Sequence, residues 1–162
     1  MSLKKDKIGI LGGSFDPAHR GHLAISKEAL KRLKLKKIIW AITKKNPFKK
    51  ICNVSLLNRI KYCKKIINKN KFIKVKFYED IIRSNKTINL IKYLNRNKKN
   101  EVYFLMGADN LINFHKWHKW KTISQKCNII VFDRHGYKKK SLNSTTYKRL
   151  DKKNLKFIEF NK

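Results

Sequence analysis

Lys7-Ile8-Gly9-Ile10-Leu11-Gly12-Gly13-Ser14-Phe15-Asp16-Pro17-Ala18-His19-Arg20-Gly21-His22 decides the reading of this chain. Ile8 to Leu11 has the length and apolar continuity of a strand buried on both faces. Gly12 and Gly13 end it at a point where the backbone can turn tightly and approach a ligand. After Pro17 a helical pattern begins near Gly21. Strand, glycine turn and helix N-terminus then aim N–H groups and the positive end of the helix dipole at one place, an arrangement suited to phosphate. His19 and His22, three residues apart, put both rings on one side of the helix start. Imidazole donates hydrogen bonds to phosphate oxygens and can carry charge as those oxygens accumulate it. Either histidine alone reads as part of a solvated helix face. A zinc site lacks an HExxH pattern and any nearby Cys or carboxylate set to complete four ligands.

Working outward, apolar residues at helical spacing from Leu23 to Leu35 lead into Ile38 to Ile42, a second buried strand, so residues 8–42 form a βαβ unit. Thr43 to Asn53 is a basic loop at the C-terminal end of that strand, the edge where doubly wound sheets bind ligands. Ser55 is placed to cap a helix to Ile67, with Leu56, Leu57, Ile60, Cys63, Ile66 and Ile67 inward. Phe72 to Tyr78 reads as a third strand, followed by Glu79 and Asp80. A helix from Ser84–Thr87 runs to Leu94, with Thr87 a possible N-cap. Val102 to Met106 is a fourth strand ending in Gly107 and Asp109, where the carboxylate can serve ribose hydroxyls, help hold a magnesium-bound phosphate, or cap a short helix 110–114. Asn128 to Phe132 is a fifth strand, residues 142–150 look helical, and Leu155 to Phe160 is a last apolar run. This order predicts a Rossmann-like, doubly wound α/β domain of five or six parallel strands, a single domain over residues 1–162.

Gly12 to His22 resembles the GGSFDPxHxGH signature of the HxGH nucleotidylyltransferase superfamily. The double glycine with His19 resembles its nicotinate-nucleotide adenylyltransferase branch, since phosphopantetheine adenylyltransferases usually carry Thr where His19 stands. Met106-Gly107-Ala108-Asp109-Asn110-Leu111 through Trp117 and Trp120 resembles the alphaproteobacterial form, and Asn46-Pro47-Phe48-Lys49 resembles that family's substrate loop. The resemblance implies transfer of AMP from ATP to nicotinate mononucleotide, giving deamido-NAD and pyrophosphate, with Mg²⁺ accompanying ATP. It implies His19 and His22 as catalytic residues, and ATP contacts from Gly12, Gly13, Ser14, Phe15, His19, His22, Gly107 and Asp109. Asn46, Lys49, Thr87, Trp117 and Arg134 are implied on the acceptor side, Trp117 by stacking on the pyridine ring.

The sequence departs from the family pattern in three places. Leu90 stands where a second Thr is usual, and His135 replaces Pro in an Arg-Pro-Gly-Tyr element. The closing Ile-Ser-Ser-Thr-x-Ile-Arg element has no proper copy. Asn143 to Arg149 looks like one, but its Arg falls one position late and it precedes the last strand. The expectation is therefore of a C-terminally truncated chain.

Composition sets the remaining bounds. The chain has 42 Lys and Arg against 10 Asp and Glu, a formal charge of +32, with the lysines scattered through every segment. Such an excess suggests polyanions, and aromatics interleaved with bases at Phe114 to Trp120 could stack on single-stranded nucleic acid. A basic nucleic-acid-binding protein is thus the non-enzymatic alternative, and another HxGH nucleotidylyltransferase, acting on phosphopantetheine or a different mononucleotide, the enzymatic one. Asn, Lys and Ile abundance fits A/T-rich codons instead, so no specific nucleic-acid partner is expected. Three unpaired cysteines, a polar N-terminus and no apolar run of about 18 residues point to a cytoplasmic protein with no membrane partner. Monomer and homo-oligomer stay equally open.

Overall fold

A computed structural model describes residues 4–45, 52–133 and 136–159. The chain divides into two units, one from Asp6 to Asn85 and one from Lys86 onward.

In the first unit, β1 (Asp6–Gly13) is followed by α1 (Arg20–Leu33), β2 (Lys37–Ile42), α2 (Leu56–Ile67), β3 (Ile73–Lys76) and α3 (Glu79–Ile82). The strands are parallel in the order β3-β2-β1, with Ile8 opposite Lys37 and Gly13 opposite Ile42. Ile8, Ile10 and Leu11 of β1 and Ile38 to Ile42 of β2 are buried. Such unbroken apolar runs are what a parallel strand needs when both faces are covered. Helix α1 buries Ser26, Ala29 and Leu33. Ser55 caps α2 as expected, its side chain accepting the Asn58 N–H.

The inward stripe of α2 differs from the sequence reading. Arg59 and Cys63 are its buried residues, while Leu57 is 62% exposed. An arginine spaced four residues from Cys63 takes the inward position, which turns Leu57 outward. Phe72 also lies outside the third strand and is exposed, and the single turn α3 was not foreseen.

The second unit contains α4 (Thr87–Asn95), β4 (Asn100–Gly107), α5 (Ala108–Asn113), a 3₁₀ turn (Phe114–Lys116) and α6 (Trp120–Lys126). Then come β5 (Asn128–Asp133), α7 (Lys138–Leu142), α8 (Thr145–Arg149), a second 3₁₀ turn (Lys152–Asn154) and β6 (Leu155–Glu159). Its strands are parallel in the order β4-β5-β6, with Phe104 opposite Ile129 and Val131 opposite Phe157. The helical stretch expected at 142–150 is broken at Asn143 and Ser144, because Ser144 caps α8 by accepting the Tyr147 N–H. Alternating strands and helices in both units, six strands among the described residues, realise the expected Rossmann-like α/β class. No helix of the described residues is long and apolar enough to cross a membrane.

Candidate active site

The head of α1 is held by the two histidines themselves. His19 is the N-cap, and its Nδ1 accepts the Gly21 N–H at 3.1 Å. The Nδ1 of His22 reaches back to accept the His19 N–H, also at 3.1 Å. This is a reciprocal capping box built from imidazoles in place of a hydroxyl and a carboxylate. A nitrogen that accepts from a backbone N–H carries no proton, so in the neutral rings the proton sits on Nε2 of both residues. The ring centroids lie 3.9 Å apart. Folding of the helix start therefore presents two Nε2–H donors side by side.

Aromatic packing fixes this pair from below. Phe15 is buried, stacks on Trp40 at 5.0 Å and meets the His22 ring at 4.7 Å. Trp40 is fully buried in β2. Its indole N–H donates to Ser26 Oγ at 2.8 Å, and Ser26 Oγ–H donates to the His22 carbonyl at 2.8 Å. The indole is thereby satisfied, as a buried Trp N–H must be. Ser26, absent from the sequence reading, is the link between the strand core and His22.

The turn is not made where the sequence suggested. Gly12 and Gly13 are the last two residues of β1, and neither has a positive φ; the left-handed residue is Phe15, at φ 50°. The glycines do not reverse the chain: Gly12 is exposed and Gly13 half-buried, so their backbone lies open at the end of the strand. Ser14, half-buried, has its carbonyl taken by Arg59 Nη1 at 2.8 Å. Asp16 Oδ2 accepts the Asn53 N–H at 2.7 Å.

In the second unit, Gly107 ends β4 and Asp109 lies in the first turn of α5. A Cβ on Gly107 would stand 2.5 Å from Asp109 Oδ1. The carboxylate thus folds back over this glycine, and a side chain there would require it to shift. Asp109 makes no side-chain cap, so the capping alternative for it fails. Thr87 likewise does not cap α4; it is the first helical residue, half-exposed, and Lys86 holds the N-cap position. Trp117 is half-buried, edge-on to Phe104 at 5.8 Å and to Phe114 at 5.0 Å, and Trp120 meets Phe114 at 6.3 Å. His115 is half-buried and bonded through Nδ1 to Thr146 Oγ1 at 3.0 Å. Asn46, Lys49 and Arg134 lie outside the described residues.

An α/β sheet edge with open glycines and a histidine-capped helix defines a nucleotidyltransferase. The chain belongs to the cytidylyltransferase-like family, whose model matches residues 10–158. Within that family it groups with the nicotinate-nucleotide adenylyltransferases. It is 67% identical to the probable nicotinate-nucleotide adenylyltransferase of Pelagibacter ubique over 162 residues, covering all of this chain and 90% of that protein. It is 38% identical to the protein of the same name from Agrobacterium fabrum over 139 residues, 85% of this chain and 74% of that one. Its fold is similar to that of Plasmodium falciparum nicotinic acid mononucleotide adenylyltransferase complexed with NaAD, with a TM-score of 0.77 at 21% identity. That likeness covers 97% of this chain and 75% of the other.

Proposed function

We propose that this chain transfers the adenylyl group of ATP to nicotinate mononucleotide, giving deamido-NAD and pyrophosphate. The observation that carries the reading is the paired-histidine cap, with both Nδ1 atoms accepting backbone N–H groups of the helix start and the proton of each neutral ring therefore on Nε2. An oxygen of the acceptor phosphate attacks the α-phosphorus, the bond to the bridging α,β-oxygen breaks, and pyrophosphate leaves with the bond electrons. No protein nucleophile is needed. Catalysis rests on alignment and on donors aimed at oxygens that gain charge in the transition state. His19 and His22 supply those donors without first taking up a proton, which keeps the cap of α1 intact through the reaction. Gly12 and Gly13 let the triphosphate approach the strand end, while Ser14 and Phe15 shape the turn around it.

On the same reading Asp109 binds the ATP ribose, Thr87 and Trp117 receive the pyridine ring, Asn46 and Lys49 belong to the substrate loop, and Arg134 contacts phosphate or pyrophosphate. Mg²⁺ enters on ATP as part of the substrate. It prefers phosphate oxygens and retained water to an all-protein cage, and among the described residues no three His, Cys, Asp or Glu gather into one.

The test is product identity from a panel of acceptors with MgATP. Deamido-NAD should form from nicotinate mononucleotide well ahead of NAD from the amide. Dephospho-coenzyme A from phosphopantetheine as the faster product would overturn the assignment in favour of the sister enzyme.

A further inference from the structure

Arg59 is 3% exposed and has no carboxylate within salt-bridge distance among the described residues. All four of its hydrogen bonds go to backbone carbonyls. Nε donates to Val54 at 3.0 Å, Nη1 to Ser14 and to Thr43 at 2.8 Å each, and Nη2 to Lys44 at 2.8 Å. Burying a guanidinium is costly and is tolerated only when its donors are satisfied. The position also opposes the helix: Arg59 lies in the first turn of α2, where the dipole disfavours a cation. Neither core packing nor helix stability accounts for an arginine there.

Its partners do. Thr43 and Lys44 lie just after β2, Val54 lies just before α2, and Ser14 follows the glycines of β1. Two further bonds complete the tie. The Lys44 N–H donates to Glu79 Oε1 at 3.0 Å, so that peptide is held at both its N–H and its carbonyl, and the Asn53 N–H is held by Asp16. Burial raises the Glu79 carboxyl above its usual value, with Arg59 and the Lys44 N–H pulling it back.

We propose that Arg59 is a positioning residue that fixes both ends of the segment between β2 and α2 against the phosphate-side turn. The inference rests on the adenylyl-transfer reading for what that segment serves: it carries Asn46 and Lys49 in sequence and belongs to acceptor binding. The turn has other supports, namely the Thr43 N–H bond to the Gly13 carbonyl at 2.9 Å and the Phe15–Trp40 stack. The segment's ends depend on Arg59, Glu79 and Asp16. Removing the fork should therefore act on the acceptor far more than on ATP.

The test compares wild type with Arg59→Lys, which keeps the charge but replaces a planar fork by a point donor, and with Glu79→Ala. Limited trypsin digestion, mapped by mass, reads cutting after Lys44 and Lys45 against cutting elsewhere. The expected result is cutting there about tenfold faster in Arg59→Lys and less so in Glu79→Ala, with other sites unchanged. The KM for nicotinate mononucleotide should rise about tenfold, while kcat and the KM for ATP stay within about threefold. Wild-type cutting in both variants, or equal effects on both substrates in a folded Arg59→Lys, overturns the proposal. If Arg59→Lys is cut everywhere, showing a folding defect, Glu79→Ala decides: faster cutting at Lys44 supports the tie and unchanged cutting refutes it. Trypsin needs no turnover, so failure of the adenylyl-transfer reading would show separately, as absent pyrophosphate release in wild type.

Discussion

The two imidazoles at the head of α1 do structural and chemical work with different nitrogens of the same ring. Nδ1 closes the helix start, and Nε2 carries the proton of the neutral ring. Nitrogen NMR of histidine-labelled protein at pH 8.5, where an ordinary imidazole is neutral, should show both rings protonated on Nε2; an Nδ1–H form of either contradicts the cap. His22→Ala should lower turnover by about two orders of magnitude, the usual loss for one such donor, measured as initial rate at saturating substrates. Ser26→Ala leaves the indole N–H of Trp40 buried without its acceptor, which should cost about 1–3 kcal/mol. That loss should appear as a Tm lower by several degrees in thermal unfolding. The histidine pair was legible because an HxGH spacing at a helix start has few other uses. Ser26 and Arg59 were not, since a lone Ser reads as neutral surface and a lone Arg as solvated charge. Their roles come from partners distant in sequence, Trp40 for one and Ser14, Thr43 and Lys44 for the other.

At the level of elements, the strands were readable because runs of Ile, Val and Phe favour burial, whereas the break before α8 depends on one cap, Ser144, and α3 is a single turn with no side-chain cap. The glycine turn shows the limit of local reading. Two adjacent glycines suggested a reversal, yet the left-handed residue is Phe15, whose conformation is fixed by its stack on Trp40. The fold-back of Asp109 over Gly107 yields a prediction for the β4–α5 junction. Gly107→Ala must move that carboxylate, so the KM for ATP should rise with little change in Tm; unchanged ATP dependence would remove Asp109 from the site. The pH behaviour of α3 has a definite sign. A carboxyl raised by burial binds more protons folded than unfolded, so Glu79 makes stability fall as pH climbs from the ordinary carboxylate value through its raised one. Glu79→Gln should flatten that decline in chemical denaturation at pH 4 to 7, and a steeper decline would contradict the assignment.

Across the whole molecule, the charge of +32 governs non-specific behaviour. Retention on DNA at low salt should weaken steeply as salt rises, by about 10³-fold between 50 and 200 mM if six or more phosphates are neutralised. Retention that survives high salt would favour a dedicated nucleic-acid role. The thiols divide by burial. Cys63 is pushed up to about 11 and Cys127 to about 12, while Cys52 is half-exposed. A disulfide reagent at pH 8 should therefore titrate one thiol quickly in the native protein and all three after unfolding. Family membership follows from the span of the match across both units, residues 10–158, together with 67% identity over the full 162 residues. The most direct test of the account is the initial rate of pyrophosphate release from MgATP, with and without nicotinate mononucleotide, for wild type and His22→Ala in parallel. The account predicts release that depends on the nicotinate acceptor and is nearly abolished in the variant. Release without acceptor dependence, or undiminished in His22→Ala, would contradict it.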